Sequence, residues 1–201
     1  MLHRERRQRR SIRLPGYDYS QPGAYFVTIC THERLCLFGE VVNGQMHLSP
    51  FGQVVYEEWY RSAQMRREIV LNPDEMVIMP NHLHGIVWIV ETATVGADGC
   101  PPIDRRPPHG GAHVRAPLQR RPRSLSSFIA GFKSATTARI NAVRATPGEP
   151  LWQRNYYEHI IRDEARLNRI REYILLNPLR WHLDYENAER TGEDELWNAL
   201  W

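Results

Sequence analysis

Met76-Val77-Ile78-Met79-Pro80-Asn81-His82-Leu83-His84-Gly85-Ile86-Val87-Trp88-Ile89-Val90 is the stretch on which the fold turns. Met76 to Met79 and His82 to Val90 are short runs rich in apolar and β-branched residues, and each reads as a strand. Only Pro80-Asn81 separates them. A parallel pair needs a crossover of a dozen or more residues, so so short a link favours antiparallel neighbours. Side chains alternate along a strand, so His82 and His84 share one face and Leu83 points into the core. Pro80 at the strand start and Gly85 just after the histidines fit a chain that enters sharply and lets another group approach closely.

Outward from this stretch, Ala24 to Thr31 is aromatic and β-branched and reads as a central strand. Phe38 to Val42 and Gln45 to Leu48 form a hairpin about an Asn43-Gly44 turn. Ser49-Pro50 opens a helix with Val54, Val55, Trp59 and Tyr60 on its apolar stripe. Glu68 to Leu71 is a further short strand, parted from Met76 by Asn72-Pro73-Asp74. Ser124 caps a helix to about Arg144, with Leu125, Phe128, Ile129, Phe132, Thr136 and Ile140 near one face. Trp152 to Ile161 reads as the last strand. Asp163 caps a helix from Glu164 to Asn177, stopped by Pro178. Several links are too short for helical crossovers. The expected class is therefore α+β: a mainly antiparallel sheet with helices packed on it, a two-layer sandwich.

With 201 residues, the chain is long enough for one well-buried domain and short for two. The expected organisation is a flexible basic arm at 1–13, a domain at 14–183, and an acidic tail at 184–201. Residues 92–123, rich in Pro, Gly and Arg, read as a mobile insertion within the domain. No apolar run approaches the ~20 residues of a membrane helix, and no signal segment follows the charged N-terminus. A cytoplasmic protein is expected, with no membrane partner. Cys30, Cys36 and Cys100 show no metal-type pairing and read as buried reduced thiols.

The net charge of +3 hides an asymmetry: the tail carries −5, so residues 1–183 carry +8. Arg4, Arg6, Arg7, Arg9, Arg10 and Arg13 crowd the arm. Arginine forks match phosphate oxygens, so an anionic polymer is one partner this charge fits. A solubilising terminus fits it equally. The acidic tail itself reads as a shield over a nucleic-acid groove.

Two constellations carry chemistry. His82 and His84, at i and i+2 on a strand, can hold one divalent ion on a rigid support. Spacing alone leaves open that they are surface or core histidines. Tyr173 and Asn177, at i and i+4, share a helix face beside the stripe of Leu167, Ile170 and Ile174. A phenol can act as a covalent nucleophile, and an amide oxygen as a hard ligand for Mg²⁺ or Mn²⁺. The helix alone is read more simply as carrying a half-buried core tyrosine and a helix-end asparagine before Pro178.

Taken with the ordered set Leu14-Pro15-Gly16-Tyr17-Asp18, Tyr25-Phe26-Val27-Thr28, Val77 to Ile86, Ser124-Leu125, Phe132-Lys133-Ser134, Trp152 to His159 and Tyr173 to Pro178, these residues carry a resemblance. The chain resembles the REP-associated tyrosine transposases of the wider HUH superfamily over most of residues 11–181. The resemblance implies His82 and His84 as metal ligands, Tyr173 as the nucleophile and Asn177 as the third ligand, where many relatives carry glutamine. It implies Mg²⁺ or Mn²⁺ and a 5′-phosphotyrosine intermediate. The implied substrate is single-stranded DNA with a hairpin, a REP-like palindrome, and the implied state a monomer or homodimer at the nucleoid. Tyr156 and Tyr157 are competing nucleophiles, and Glu158 and His159 are possible outer partners of the site. Arg4, Arg6, Arg7, Arg9, Arg10, Arg13, Arg120, Arg121, Arg123, Lys133 and Arg154 are the candidate DNA contacts. The alternative is a hairpin-binding protein without cleavage activity.

Overall fold

The computed structural model describes residues 14, 16–91 and 123–200. The arm at 1–13, residues 92–122 and Cys100 lie outside the described residues. The two strands at the centre are β1 (Gly23–Cys30) and the later β6 (His82–Ile89). They pair antiparallel from Gly23↔Ile89 to Cys30↔His82. Nearly all their residues are buried, which explains sequences apolar on both faces rather than alternating.

Around this pair the remaining elements follow the sequence signals. β2 (Gly39–Val42) and β3 (Gln45–Leu48) form a separate hairpin. Its turn residues, Asn43 (φ 51°) and Gly44 (φ 75°), both adopt the left-handed conformation that a two-residue turn of this hand requires. α1 (Pro50–Gln64) starts where the Ser49 hydroxyl accepts from the Gly52 N–H. β4 (Ile69–Val70) and β5 (Met76–Met79) both pair with β6, one at each end of it. α2 (Leu125–Val143) opens on a reciprocal cap between Ser124 and Ser127. β7 (Tyr157–Ile161) pairs with the other edge of β1. α3 (Glu164–Leu176) is capped by Asp163 and ends before Pro178. A short α4 (Glu195–Asn198) follows. Every named pairing is antiparallel, in the order β4-β6-β1-β7 with β5 beside β6. No described helix is long and apolar enough to cross a membrane.

Strand parity sorts the core into two clusters. Tyr25, Val27, Ile29, Leu83, Val87 and Ile89 face α1 and α2, where they meet Val55, Trp59, Phe128, Ile129 and Phe132. Ala24, Phe26 and Ile86 face the other way, against Leu167, Ile170, Tyr173 and Ile174 of α3 and against Leu200. His82 and His84 carry the parity of the second face. Gly85 carries the parity of the first: a Cβ there would come within 2.8 Å of the Trp59 ring. The group that this glycine lets approach is thus the α1 indole, which pins α1 to the sheet on the side away from the histidines.

Two expectations are corrected. The last strand is shorter than Trp152 to Ile161: only Tyr157–Ile161 runs in the ladder, and Trp152 makes a lone bridge to Thr31. The backbone between is drawn off by α2, because Lys133 Nζ donates to the carbonyls of Gln153 (2.6 Å) and Asn155 (3.2 Å). The Trp152 indole meanwhile donates to Thr136 Oγ1 at 2.8 Å. Of the cysteines, Cys30 is buried as expected, but Cys36 is exposed, in the loop that follows the turn at His32–Arg34.

Residues 181–200 fold back over the α3 face. Asp184, Glu186, Asp194 and Leu200 are buried there. Asp194 caps α4 and pairs with Arg180 Nη2 at 2.6 Å, and Glu186 pairs with Arg34 Nε at 2.9 Å.

Candidate active site

His82 and His84 leave β6 on the α3 face and turn their Nε2 atoms toward each other, 2.9 Å apart. Their outer nitrogens are engaged: His82 Nδ1 lies 2.8 Å from Asn81 Oδ1, and His84 Nδ1 lies 2.8 Å from Thr28 Oγ1 on β1. The β1–β6 register sets Thr28 directly opposite His84. Tyr173 comes from the last turns of α3, its ring edge-on to Phe26 and to His84. Its hydroxyl is 3.2 Å from His84 Nε2 and donates to Asp184 Oδ2 at 3.3 Å. Asn177, one turn on, donates from Nδ2 to the same carboxylate oxygen at 3.0 Å.

Asp184 is therefore the hub, and sequence reasoning did not single it out. Its Oδ2 lies 3.7 Å from His82 Nε2 and 3.9 Å from His84 Nε2. His82, His84 and Asp184 form a group able to hold a metal ion among the described residues. One acid among the six of the tail carried no local signal that it folds back onto the histidines.

The electrostatics fit a cation. Burial, the largest influence on His82, outweighs the pull of Asp184 and holds the imidazole at about 3, so it is neutral at physiological pH. Burial works to raise Asp184 as well. The two imidazoles and the Glu186 N–H outweigh it and hold the carboxyl below its usual range. Burial, then the fields of Asp184 and Asp194, raises the Tyr173 phenol well above the usual value. The result is an ionised carboxylate, 1% exposed, facing imidazoles, a phenol and an amide. Burying such a group is costly; hydrogen bonds from Tyr173, Asn177 and the Glu186 N–H offset part of that cost, and a cation would offset more. Among the described residues the buried Asn177 Oδ1 also has no hydrogen-bond partner, as an oxygen suited to a ligand would.

A pH prediction follows. The unfolded chain protonates His82 near 6.5, whereas the folded protein does so only near 3. Stability therefore falls as pH drops through that window, by about 1.4 kcal/mol per pH unit for this group. Urea midpoints measured with a chelator present should fall between pH 6.5 and 4, and less steeply in His82→Gln. Equal slopes in the two proteins would remove His82 as the cause.

The other expected site residues are distributed as follows. Tyr157 opposes Thr28 on the histidine face, while Tyr156 packs toward α1 and α2 with Lys133 Nζ 5.9 Å from its ring centre. Glu158 opposes Val27 and so has the parity of the α1 and α2 face, whereas His159 accepts from Arg166 Nη1 at 3.0 Å. Asn81 and Thr28, which stand in the quoted motifs, lie against the outer nitrogens of the two histidines, a role that shows only once the chain is folded. Arg123 is exposed just before the α2 cap. Lys133 and Arg154 line one groove of about 890 Å³ between α2 and residues 145–154. That groove lies on the α2 side of the sheet, whereas His82 and Tyr173 are only 0% and 2% exposed on the other. Arg4, Arg6, Arg7, Arg9, Arg10, Arg13, Arg120 and Arg121 lie outside the described residues.

No family model matches the chain. A Haemophilus influenzae protein described as uncharacterized is 39% identical over 178 residues, which cover 88% of this chain and 91% of that one. Among solved structures, a REP-associated tyrosine transposase bound to a REP hairpin superposes with a TM-score of 0.51 at 19% identity. That match covers 82% of this chain and 72% of the other, and it shows a shared fold.

Proposed function

The chain belongs to the family of the Haemophilus influenzae protein and has the fold of the REP-associated tyrosine transposase; on that premise we propose that it is a metal-dependent single-stranded DNA endonuclease and strand transferase, acting on hairpin-containing repeats in DNA transposition. The observation that supports this most is the convergence of a phenol, two imidazoles and a carboxylate on one buried spot, with the Tyr173 hydroxyl 3.2 Å from His84 Nε2. A core tyrosine needs no such company.

His82, His84 and Asp184, with Asn177 Oδ1, are the residues that would hold Mg²⁺ or Mn²⁺. Such an ion supplies Lewis-acid polarisation of a non-bridging phosphate oxygen. Tyr173 is the nucleophile. Its oxygen bonds to phosphorus, the bond from phosphorus to the 3′ oxygen breaks, and the departing oxygen leaves as a 3′-hydroxyl after taking a proton. Asp184 Oδ2, 3.3 Å away, accepts the hydrogen bond of the phenol and so orients its oxygen; the carboxylate, held below its usual range, does not keep the proton, which passes to solvent water. Because burial and the nearby acids hold that proton firmly, the phenol releases it only as the bond to phosphorus forms. The 5′-phosphotyrosine keeps the bond energy, so the 3′-hydroxyl of the same or another strand can attack it and rejoin DNA.

Within one chain the Tyr173 hydroxyl lies 3.2 Å from His84 Nε2, an arrangement that supports action as a monomer or as a homodimer with a complete site in each copy. Arg123, Arg154, Lys133 and the arginines of the arm and insertion are the proposed phosphate contacts. Their binding should weaken steeply with added salt. Work on chromosomal DNA would place the protein in the cytoplasm, at the nucleoid.

The test is to incubate the protein with end-labelled single-stranded hairpin DNA and Mn²⁺ and to look for an SDS-resistant protein–DNA adduct. The adduct is expected with Mn²⁺ and absent with EDTA. A second reading, hairpin binding without cleavage, is favoured by the closure of the site, in which Tyr173 is only 2% exposed. It predicts retention of the hairpin on native gels with no adduct under any ion.

A further inference from the structure

The two histidines are held at their outer nitrogens by different kinds of partner. The Asn81 amide has one way to sit. Its Nδ2 donates to the carbonyl oxygens of Glu186 (2.8 Å) and Arg34 (3.3 Å), which can only accept. Oδ1 is thus the atom turned to His82, and as an acceptor it requires the proton on His82 Nδ1, 2.8 Å away. His82 Nε2 is then a bare lone pair, aimed at the point shared with His84 and Asp184. Thr28 sets no such condition on His84. A hydroxyl donates or accepts by rotating, so His84 can carry its proton on either nitrogen.

The gap between the rings decides where that proton rests without an ion. Two bare Nε2 atoms 2.9 Å apart would repel, whereas a hydrogen on one of them makes an ordinary hydrogen bond. His82 Nε2 is bare, so the hydrogen is on His84 Nε2. Thr28 then donates to His84 Nδ1.

We infer that Asn81 presets His82 as a ligand whose tautomer never changes, while Thr28 makes His84 a switchable one, which parks its proton on Nε2 until an ion enters. On entry the His84 N–H bond at Nε2 breaks and an N–H bond forms at Nδ1. Water relays the proton, Thr28 turns from donor to acceptor, and no proton is gained or lost. Asn81 and Thr28 are positioning residues: they act through the imidazoles. The switch of His84 rests on the proposed ion site, whereas the tautomer of His82 does not.

The test is nitrogen NMR on protein labelled with ¹⁵N-histidine, without ions and then with saturating Mg²⁺, alongside Mn²⁺ calorimetry. In the wild type, His82 should show a protonated Nδ1 in both states. His84 should show a protonated Nε2 before Mg²⁺ and a protonated Nδ1 after. Asn81→Leu should shift His82 toward the Nε2–H form and weaken Mn²⁺ binding about 10–100-fold. Thr28→Val should disturb His84 and leave His82 unchanged. A wild-type His82 protonated at Nε2 overturns the role of Asn81 whether or not an ion binds, and needs no variant to fold. Asn81→Leu that binds Mn²⁺ within twofold of wild type does the same. Failure of the wild type to bind either ion removes the proposed metal site and the His84 switch together. Ion binding with no change at His84 overturns the switch alone.

Discussion

Tyr173→Phe should abolish the covalent DNA adduct, a loss on the order of 10³-fold or more and down to the assay floor, while leaving hairpin binding within a few-fold of wild type. The substitution removes one oxygen and keeps the ring, which is edge-on to Phe26 and tilted over Trp197. Stability should change by only about 1 kcal/mol, since one hydrogen bond to Asp184 is lost and Asp184 keeps its bonds from Asn177 Nδ2 and the Glu186 N–H. Unfolding curves and native-gel retention of a hairpin, run with the adduct assay, separate loss of chemistry from loss of fold. An adduct that persists in Tyr173→Phe would move the nucleophile elsewhere. Tyr157, on the histidine face of β7, would then be the residue to substitute next.

The second expected result is a gain. Removing residues 193–201, or replacing Trp197 by Ala, should raise the rate of adduct formation by about tenfold or more. Tyr173 cannot meet a phosphate while it is 2% exposed. The Trp197 ring lies 5.5 Å from the Tyr173 ring and 6.1 Å from that of His84, and Leu200 is buried in the same cluster. If the site works only when this cover lifts, the measured rate is the intrinsic rate times the open fraction, and opening it permanently recovers the difference. Asp194 ties the cover down through Arg180, so truncation before Asp194 removes the tether with the lid. Asp184 and Glu186 stay in place in both variants. Equal rates in both variants and wild type, with the fold intact by circular dichroism, would show that the 193–200 segment is no barrier.

Much of this arrangement was legible from local sequence, because it depends on periods and caps. Strand alternation alone puts His82 and His84 on one side, and a helical turn alone puts Tyr173 beside Asn177. The two-residue link Pro80-Asn81 admits only a tight antiparallel return, and Ser49, Ser124 and Asp163 mark helix starts that the structure keeps. Each of these signals lies within a few residues of its consequence. Where a distant group competes for the backbone, local reading runs long. Trp152 and Tyr156 have strand-like side chains, yet Lys133, twenty residues before Gln153, claims the carbonyls of Gln153 and Asn155 between them.

The sequence by itself therefore determined the α+β class, the antiparallel sheet and the pairing of chemistry-bearing residues within each element. Only the tertiary structure decided how those pairs meet. It put α1 and α2 on one face of the sheet and α3 on the other, so that the tyrosine helix lies over the histidines. It brought Thr28 opposite His84 through strand register, turned the Asn81 amide by means of two remote carbonyls, and carried Asp184 back to within 3.9 Å of both imidazoles. The reason is physical. Periodicity fixes which way a side chain faces, but not what the chain places before that face; that depends on burial and charge shared among residues far apart in sequence.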